Sequence, residues 1–245
     1  MSLPEHLLPY TEPIPVLDHG FVRLVETWGK GDAGEPEAGI IEAARQSTQG
    51  SFRGWEKDEK LLSFLFCNKP PHATPFEFAG MVIEVRAPIF VFREWHRHRQ
   101  QSYNEMSARY APLPDVNYVP TVERIMMSGG KNKQAGAVTG TEVNLDVEGA
   151  EKFRSELIET YGFFQEDYES ALAMGIPKEL ARCGMPVGRY SQMRASTNLR
   201  NWLGFLTLRM DPGAQWEIQK YAEAVAYICR SQFPRVMELF DASRN

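Results

Sequence analysis

The chain has 245 residues, enough for one sizeable domain with a buried core or for two small ones. Apolar residues make up 43% and charged residues 24%, an ordinary globular balance, and the net charge of −5 argues against a generally basic nucleic-acid binder. Cys67, Cys183 and Cys229 form no C-x-x-C pair, which argues against a zinc ribbon or a disulfide framework. No run approaches the ~18 apolar residues of a membrane span, and Met1 to Tyr10 lack the basic and apolar regions of a signal peptide. A cytoplasmic protein with reduced thiols is expected.

In chain order, residues 1–20 read as a Pro-rich irregular arm, with the N-terminal arm as a whole taken as 1–40. Phe21 to Trp28 is apolar but ambiguous in type. Glu37 to Arg45 and Asp58 to Cys67 read as helices, the second stopped by Asn68 and Pro70-Pro71. Met81, Ile83 and Val85 alternate with their neighbours. Ile89 and Val91 continue after Pro88, which predicts a strand region running to Trp95. Residues 124–147 are rich in Gly, Ser, Thr and Asn and read as a flexible loop. Phe153, Leu157, Tyr161, Phe164, Tyr168 and Leu172 recur at helical spacing, and Gly175-Ile176-Pro177 closes that helix. A short helix is expected at Lys178 to Cys183, a strand at Val187 to Ala195, and helices at Asn198 to Leu208 and Gln215 to Phe240. The fold class is α+β, helices around a central antiparallel β-sheet, in a single domain over 1–245.

Gly29-Lys30-Gly31-Asp32-Ala33-Gly34 matches G-x-G-x-x-G, a weak signal by itself. Glu35 and Glu37 follow it, and carboxylates at a helix start repel a pyrophosphate. A surface loop is the expected reading.

The arginines carry more information. There are 18 of them against nine lysines. Arg93, Arg97, Arg99 and Arg109 fall in one short window, and Arg182, Arg189, Arg194, Arg200 and Arg209 in another that holds no Lys, Asp or Glu. Arginine suits bidentate capture of phosphate or carboxylate, so anion binding is favoured over a structural ion-pair network. Ser102-Tyr103-Asn104-Glu105 reads as a capping box that starts a helix, with Glu105 and Arg109 on one face. His98, between two arginines, is expected to be neutral. His96 lacks companion carboxylates or cysteines at ligand spacing, so no metal site is expected. Tyr103, Tyr110, Tyr190 and Trp202 near the arginines allow a second reading, a nucleotide- or nucleic-acid-binding protein stacking bases. The acidic net charge disfavours nucleic acid as the partner.

The string Arg97-His98-Arg99, seven residues, then Ser107 resembles the signature of flavin-dependent thymidylate synthases. The resemblance extends in order through His72-Ala73-Thr74-Pro75-Phe76-Glu77, Gly175-Ile176-Pro177, Ala181-Arg182, Asn198-Leu199-Arg200, Leu208-Arg209 and Ala214 to Gln219, covering roughly residues 40–235. It implies a homotetramer with active sites at subunit interfaces and reductive methylation of dUMP to dTMP. Methylenetetrahydrofolate would be the one-carbon donor, FAD would be reduced by NADPH, and no enzyme cysteine would attack the uracil. Cys183, beside Arg182, is accordingly expected in the core. The other outcome consistent with the resemblance is a flavoprotein or nucleotide-binding homologue without synthase activity.

The resemblance implies FAD contacts at Ser47, His72, Thr74, Arg97, His98, Arg99, Asn104, Glu105, Asn198 and Arg200. It implies dUMP contacts at Glu94, Arg97, Glu105, Ser107, Ala108, Arg109, Arg182 and Arg209, with the phosphate near Ser107 and Arg109. Arg209 and Ser107 take the catalytic roles, Arg209 by favouring the ionised uracil N3. Glu94 stands where some members carry glutamine, and Gly204 where some carry asparagine.

Overall fold

A computed structural model describes residues 12–127 and 145–244. The strands are β1 (Ile14–Val16), β2 (Gly20–Trp28), β3 (Gly80–Pro88), β4 (Ser102–Glu105) and β5 (Tyr190–Asn198). The helices are α1 (Ala38–Arg45), α2 (Trp55–Cys67), α3 (Ile89–Trp95), α4 (Val122–Met126), α5 (Val147–Ala173), α6 (Lys178–Ala181), α7 (Leu199–Arg209), α8 (Trp216–Gln232) and α9 (Pro234–Arg244). The strands form one antiparallel sheet in the order β1-β2-β3-β5-β4.

Alternation divides the sheet into two unlike faces. Val22, Leu24, Met81, Ile83, Val85, Met193 and Ala195 are buried on one face, against Trp202, Phe205 and Leu206 of α7 and Ile218, Tyr221, Val225 and Ile228 of α8. The intervening positions carry Arg23, Glu84, Arg86, Gln192 and Arg194, so the opposite face is polar. Glu84 is its centre. It accepts from Arg23 Nη2 at 2.9 Å and from Gln192 Nε2 at 2.7 Å, and Arg194 Nε lies at 3.7 Å.

Several expectations change. The irregular reading of residues 1–20 gives way at Ile14, where β1 pairs with β2, the segment whose type was ambiguous. The strand stops at Pro88 instead of reaching Trp95. Beyond it Val91, Phe92 and Trp95 are buried at i, i+1 and i+4, a helical spacing that three alternating residues before a proline had masked. The capping-box helix is absent: Ser102–Glu105 is an edge strand paired with Met193–Ser196. Its backbone finds partners on β5, and Met106 N extends the pairing to Gln192 O at 2.9 Å. The C-terminal helix is two helices broken at Phe233-Pro234, since proline cannot continue the hydrogen-bond ladder. The loop expected over 124–147 shows helix at both edges, in α4 and α5, and residues 128–144 lie outside the described ones, as do residues 1–11 of the arm.

The glycine motif is a loop between β2 and α1, as expected. Gly29 has φ 110°, and a Cβ there would lie 2.4 Å from the Ala79 Cβ. Glu37, at the start of α1, is buried and turned away from the glycines. Its carboxylate accepts from the backbone N–H groups of Val236 at 2.7 Å and Arg235 at 3.2 Å, at the start of α9. The long helix α5 exists, but within it only Ala150 and Tyr168 are buried. Its apolar stripe is only partly covered, with Phe153 48% and Phe164 36% exposed, and Phe163, on another face of the helix, is 67% exposed.

Candidate functional site

The Arg97-His98-Arg99 turn is held by its own neighbours. Helix α3 ends at Trp95, and the chain folds back through His98 N to Trp95 O at 3.0 Å and Gln101 N to His98 O at 3.3 Å. The Tyr103 hydroxyl, from β4, lies 2.8 Å from His98 O and 3.2 Å from Trp95 O and donates to them. Trp95 Nε1 donates to Gln101 Oε1 at 3.1 Å, and Thr197 Oγ1 to Gln100 O at 2.8 Å. The arginine side chains are thus carried on a turn locked to β5 and β4.

A cavity of about 520 Å³ opens beside this turn, lined by Arg97, His98, Arg99, Gln101, Asn201 and Gly204 among others. Gln101 is 7% exposed, and its Nε2 has no partner. A buried donor left unpaired costs about 1–3 kcal/mol, so this one marks a place for an acceptor. The space beside Gly204 is open, with no atom within 4 Å of a Cβ built there.

Behind His98 stands Arg209, the last residue of α7. Its Nε donates to His98 Nε2 at 2.8 Å, its Nη1 to Glu94 Oε2 at 2.9 Å and its Nη2 to Glu94 O at 2.8 Å. Accepting at Nε2 requires a neutral ring with its proton on Nδ1. Burial, then the Arg209 charge, holds the His98 pKa down to about 4, with Glu94 opposing. The neutral histidine expected from the sequence is therefore present, but the cation responsible is Arg209 and not Arg97 or Arg99.

Asn198 and Arg200 begin α7, where the Asn198 side chain caps Asn201 N at 3.0 Å. The 3-10 turn Thr74–Phe78 packs against α7 and pairs its Glu77 with Arg200. Thr74 thus lies on the turn that meets the start of α7, while the ring of His72, just before it, lies tilted against Phe64 with ring centroids 5.3 Å apart. Ser47 sits apart from these, on a 3-10 turn after α1, its hydroxyl donating to Ala44 O at 3.2 Å.

The remaining candidates gather in two other places. Asn104 lines a second cavity of about 520 Å³ on the polar sheet face, with Glu84, Met106, Gln192 and Arg194. Glu105, at the end of β4, accepts from Ser191 Oγ at 2.6 Å and shares no helix with Arg109. Arg109 lines a third hollow of about 320 Å³ with Tyr110, Lys178 and Glu179. Its Nε is 3.0 Å from Glu179 Oε2, in the open. Ser107 Oγ accepts from Arg109 N at 3.3 Å, and Ala108 is buried beside it. Arg182 follows α6, the helix that carries Glu179.

Two sequence expectations fail here. Arg189 belongs to no anion site: its side chain is 0% exposed and donates to Pro114 O at 2.6 Å, Asp115 Oδ1 at 3.1 Å and Gln165 Oε1 at 2.9 Å. Arginine clustering in the sequence does not reveal which guanidinium finds carbonyl and carboxylate partners inside the chain. Cys183 is exposed, not in the core, and Cys229 is the buried cysteine. The uncharged Gln101 and Asn201 went unremarked as site residues. The only signal for Gln101 was its place between Arg99 and Ser107 in the family signature.

Comparison with known proteins gives a consistent picture. The sequence model described as "Thymidylate synthase complementing protein" matches residues 23–235. A flavin-dependent thymidylate synthase of Thermotoga neapolitana is 37% identical over 227 residues, 93% of each chain. One of Rickettsia conorii is 36% identical over 245 residues, covering 95% of this chain and 79% of the relative. Among solved structures, the UMP/dUMP methylase PolB of Streptomyces cacaoi, bound with 5-Br dUMP, superposes with a TM-score of 0.78 at 29% identity, covering 94% of this chain and 97% of that one.

Proposed function

Because the chain belongs to the thymidylate synthase complementing protein family, we propose that it is a flavin-dependent thymidylate synthase, a single-domain cytoplasmic enzyme that methylates dUMP to dTMP. The relatives' names supply the flavin and the reaction, and the solved neighbour supplies the pyrimidine nucleotide. Methylenetetrahydrofolate as one-carbon donor and NADPH as reductant follow from the family resemblance.

The observation that carries the reading is the Arg97-His98-Arg99 cavity with Arg209 behind it. The residues fit FAD by their chemistry. Arg97 and Arg99 offer guanidinium donors, Gln101 offers an unpaired buried amide donor, and Gly204 leaves room for a flat ring system. FAD, when bound there, would supply the redox and one-carbon relay capacity that no side chain has. Asn198 and Arg200, at the start of α7, would extend the same surface.

The chain's own contribution is electrostatic. Arg209 is fixed in a sheltered place, its side chain 14% exposed. A guanidinium held near the pyrimidine favours the ionised N3 and raises electron density at C5. Ser107, Arg109 and Arg182 would take the nucleotide phosphate, with Arg109 exchanging its exposed Glu179 partner for the anion.

The Arg97–Arg99, Asn104 and Arg109 groups line separate hollows within one chain. A homotetramer whose active sites form between subunits would join them, and the exposed apolar side chains of α5 support such an assembly.

The reading is tested by an anaerobic assay of dUMP, methylenetetrahydrofolate, NADPH and FAD with the purified protein. The expected result is dTMP and a bound flavin spectrum. No dTMP overturns the assignment. Arg209→Ala is expected to lower dTMP formation by about 10²–10³-fold with FAD still bound, and retained synthesis overturns the role given to Arg209.

A further inference from the structure

The family resemblance places Glu94 among the residues that touch the nucleotide. The geometry points elsewhere. We infer that Glu94 is a positioning residue that acts through Arg209: its carboxylate and its own main-chain carbonyl grip the guanidinium from one side while the His98 ring grips it from the other. The inference rests on the synthase reading for what Arg209 then does.

Three separate hydrogen bonds, from Nε, Nη1 and Nη2, reach Glu94, near the end of α3, and His98, in the turn after it. A guanidinium has five N–H donors in a rigid plane. Three anchors on three different nitrogens fix both the position and the tilt of that plane, and two N–H groups stay available for a ligand. The Glu94 main-chain carbonyl also ties the end of α3 to the end of α7, so the guanidinium follows the Arg97-His98-Arg99 turn as one body. The Glu94 carboxylate balances the Arg209 charge, which keeps the side chain in place before any anion arrives. Its Oε2 is engaged with Arg209, which gives the carboxylate a role other than direct recognition of the nucleotide. Glutamine, found at this position in some relatives by the resemblance noted above, preserves the grip, because its amide oxygen accepts from Nη1 as well.

The test compares Glu94→Ala and Glu94→Gln with the wild-type protein in steady-state dTMP formation, and measures dUMP affinity by calorimetry on FAD-loaded protein. Misplacing a catalytic group by about 1 Å costs on the order of 10²-fold. For Glu94→Ala the expected result is therefore a loss of about 10–10²-fold in kcat with dUMP affinity within about threefold of wild type. Glu94→Gln should recover kcat to within about threefold, because geometry and not charge is what Glu94 supplies. Crystal structures should show Arg209 displaced in Glu94→Ala and in place in Glu94→Gln. A loss confined to dUMP affinity, with kcat kept, overturns the inference in favour of direct contact. An Arg209 that holds its place in Glu94→Ala overturns it as well. If wild type makes no dTMP, the synthase reading fails by itself, and the position of Arg209 in the two variant structures still decides the clamp.

Discussion

Arg209 Nε and His98 Nε2 stand 2.8 Å apart, a contact that exists only while the imidazole is neutral. The two residues come from α7 and from the turn after α3, so the protonation state of one ring governs the junction of two elements. Burial first and the Arg209 charge second bring the His98 pKa from 6.5 down to about 4. A folded-state pKa below the unfolded value means that the unfolded chain takes up the proton first as pH falls. The stability tied to this ring is therefore full above about pH 6.5 and is lost as pH falls towards 4. Urea denaturation across this range is expected to show that loss, and His98→Gln, whose amide oxygen can still accept from Arg209, is expected to remove it. An unchanged pH slope in the variant would contradict the account.

Glu37 works in the opposite direction. Burial raises its pKa from 4.5 to about 7, against the hydrogen bonds from Val236 and Arg235. A raised carboxyl pKa gives stability that is present below about pH 4.5 and lost as pH rises through about 7. Glu37→Ala is expected to remove this trend. It should also destabilise the protein by about 1–3 kcal/mol near pH 5, because the buried Val236 N–H loses its acceptor. Denaturation at pH 5 and pH 8 measures both effects, and a variant as stable as wild type at pH 5 would contradict the second.

Arg189 gives a contrast among the arginines. Its partners are internal carbonyl, amide and carboxylate groups, and its side chain is fully buried. Arg189→Met is expected to lower stability by about 2–3 kcal/mol through the orphaned Pro114 and Gln165 acceptors, while dUMP and FAD affinities of the folded protein change little. Calorimetric titration beside thermal unfolding separates the two. A large loss of nucleotide affinity without loss of stability would return Arg189 to the anion-binding set.

The exposed apolar side chains of α5 give a prediction about assembly. Phe163 is 67% exposed on a helix that buries only Ala150 and Tyr168 in the chain itself. Phe163→Asp is expected to shift the protein from about four times the 27.9 kDa chain mass towards smaller species in light scattering. dTMP formation should fall with it, since the sites are proposed to lie between subunits. A wild-type protein that is monomeric at assay concentrations, or a variant that keeps its full mass, would refute Phe163 as part of an interface.

What the sequence disclosed followed from periodicity and from local chemistry. Met81, Ile83 and Val85 announced β3, and the helix expected over Asn198 to Leu208 is α7, with Asn198 as its cap. The Arg-His-Arg turn was legible as an arginine cluster, and the family resemblance implied a flavin beside it. The misreadings have a common cause, which is that partners distant in sequence decide between local options. Ser102-Tyr103-Asn104-Glu105 has the letters of a helix start, but β5 offers it a ladder of backbone partners from 88 or more residues away. Arg189 looked like Arg97, but Asp115 and Gln165 were waiting for it. The three grips on Arg209 are invisible for the same reason, since they span 111 and 115 residues.

The Tyr103 hydroxyl, poised between the carbonyls of Trp95 and His98, gives the arginine turn a lock of its own. Burial raises the pKa of that phenol to about 12, so the lock keeps its proton throughout the physiological range. The disorder that an open loop would have to surrender at each binding event is surrendered once, when the chain folds. Successive ligands then meet the same rigid pair of guanidinium-bearing residues, and selection among those ligands falls to shape and charge instead of to the flexibility of the turn.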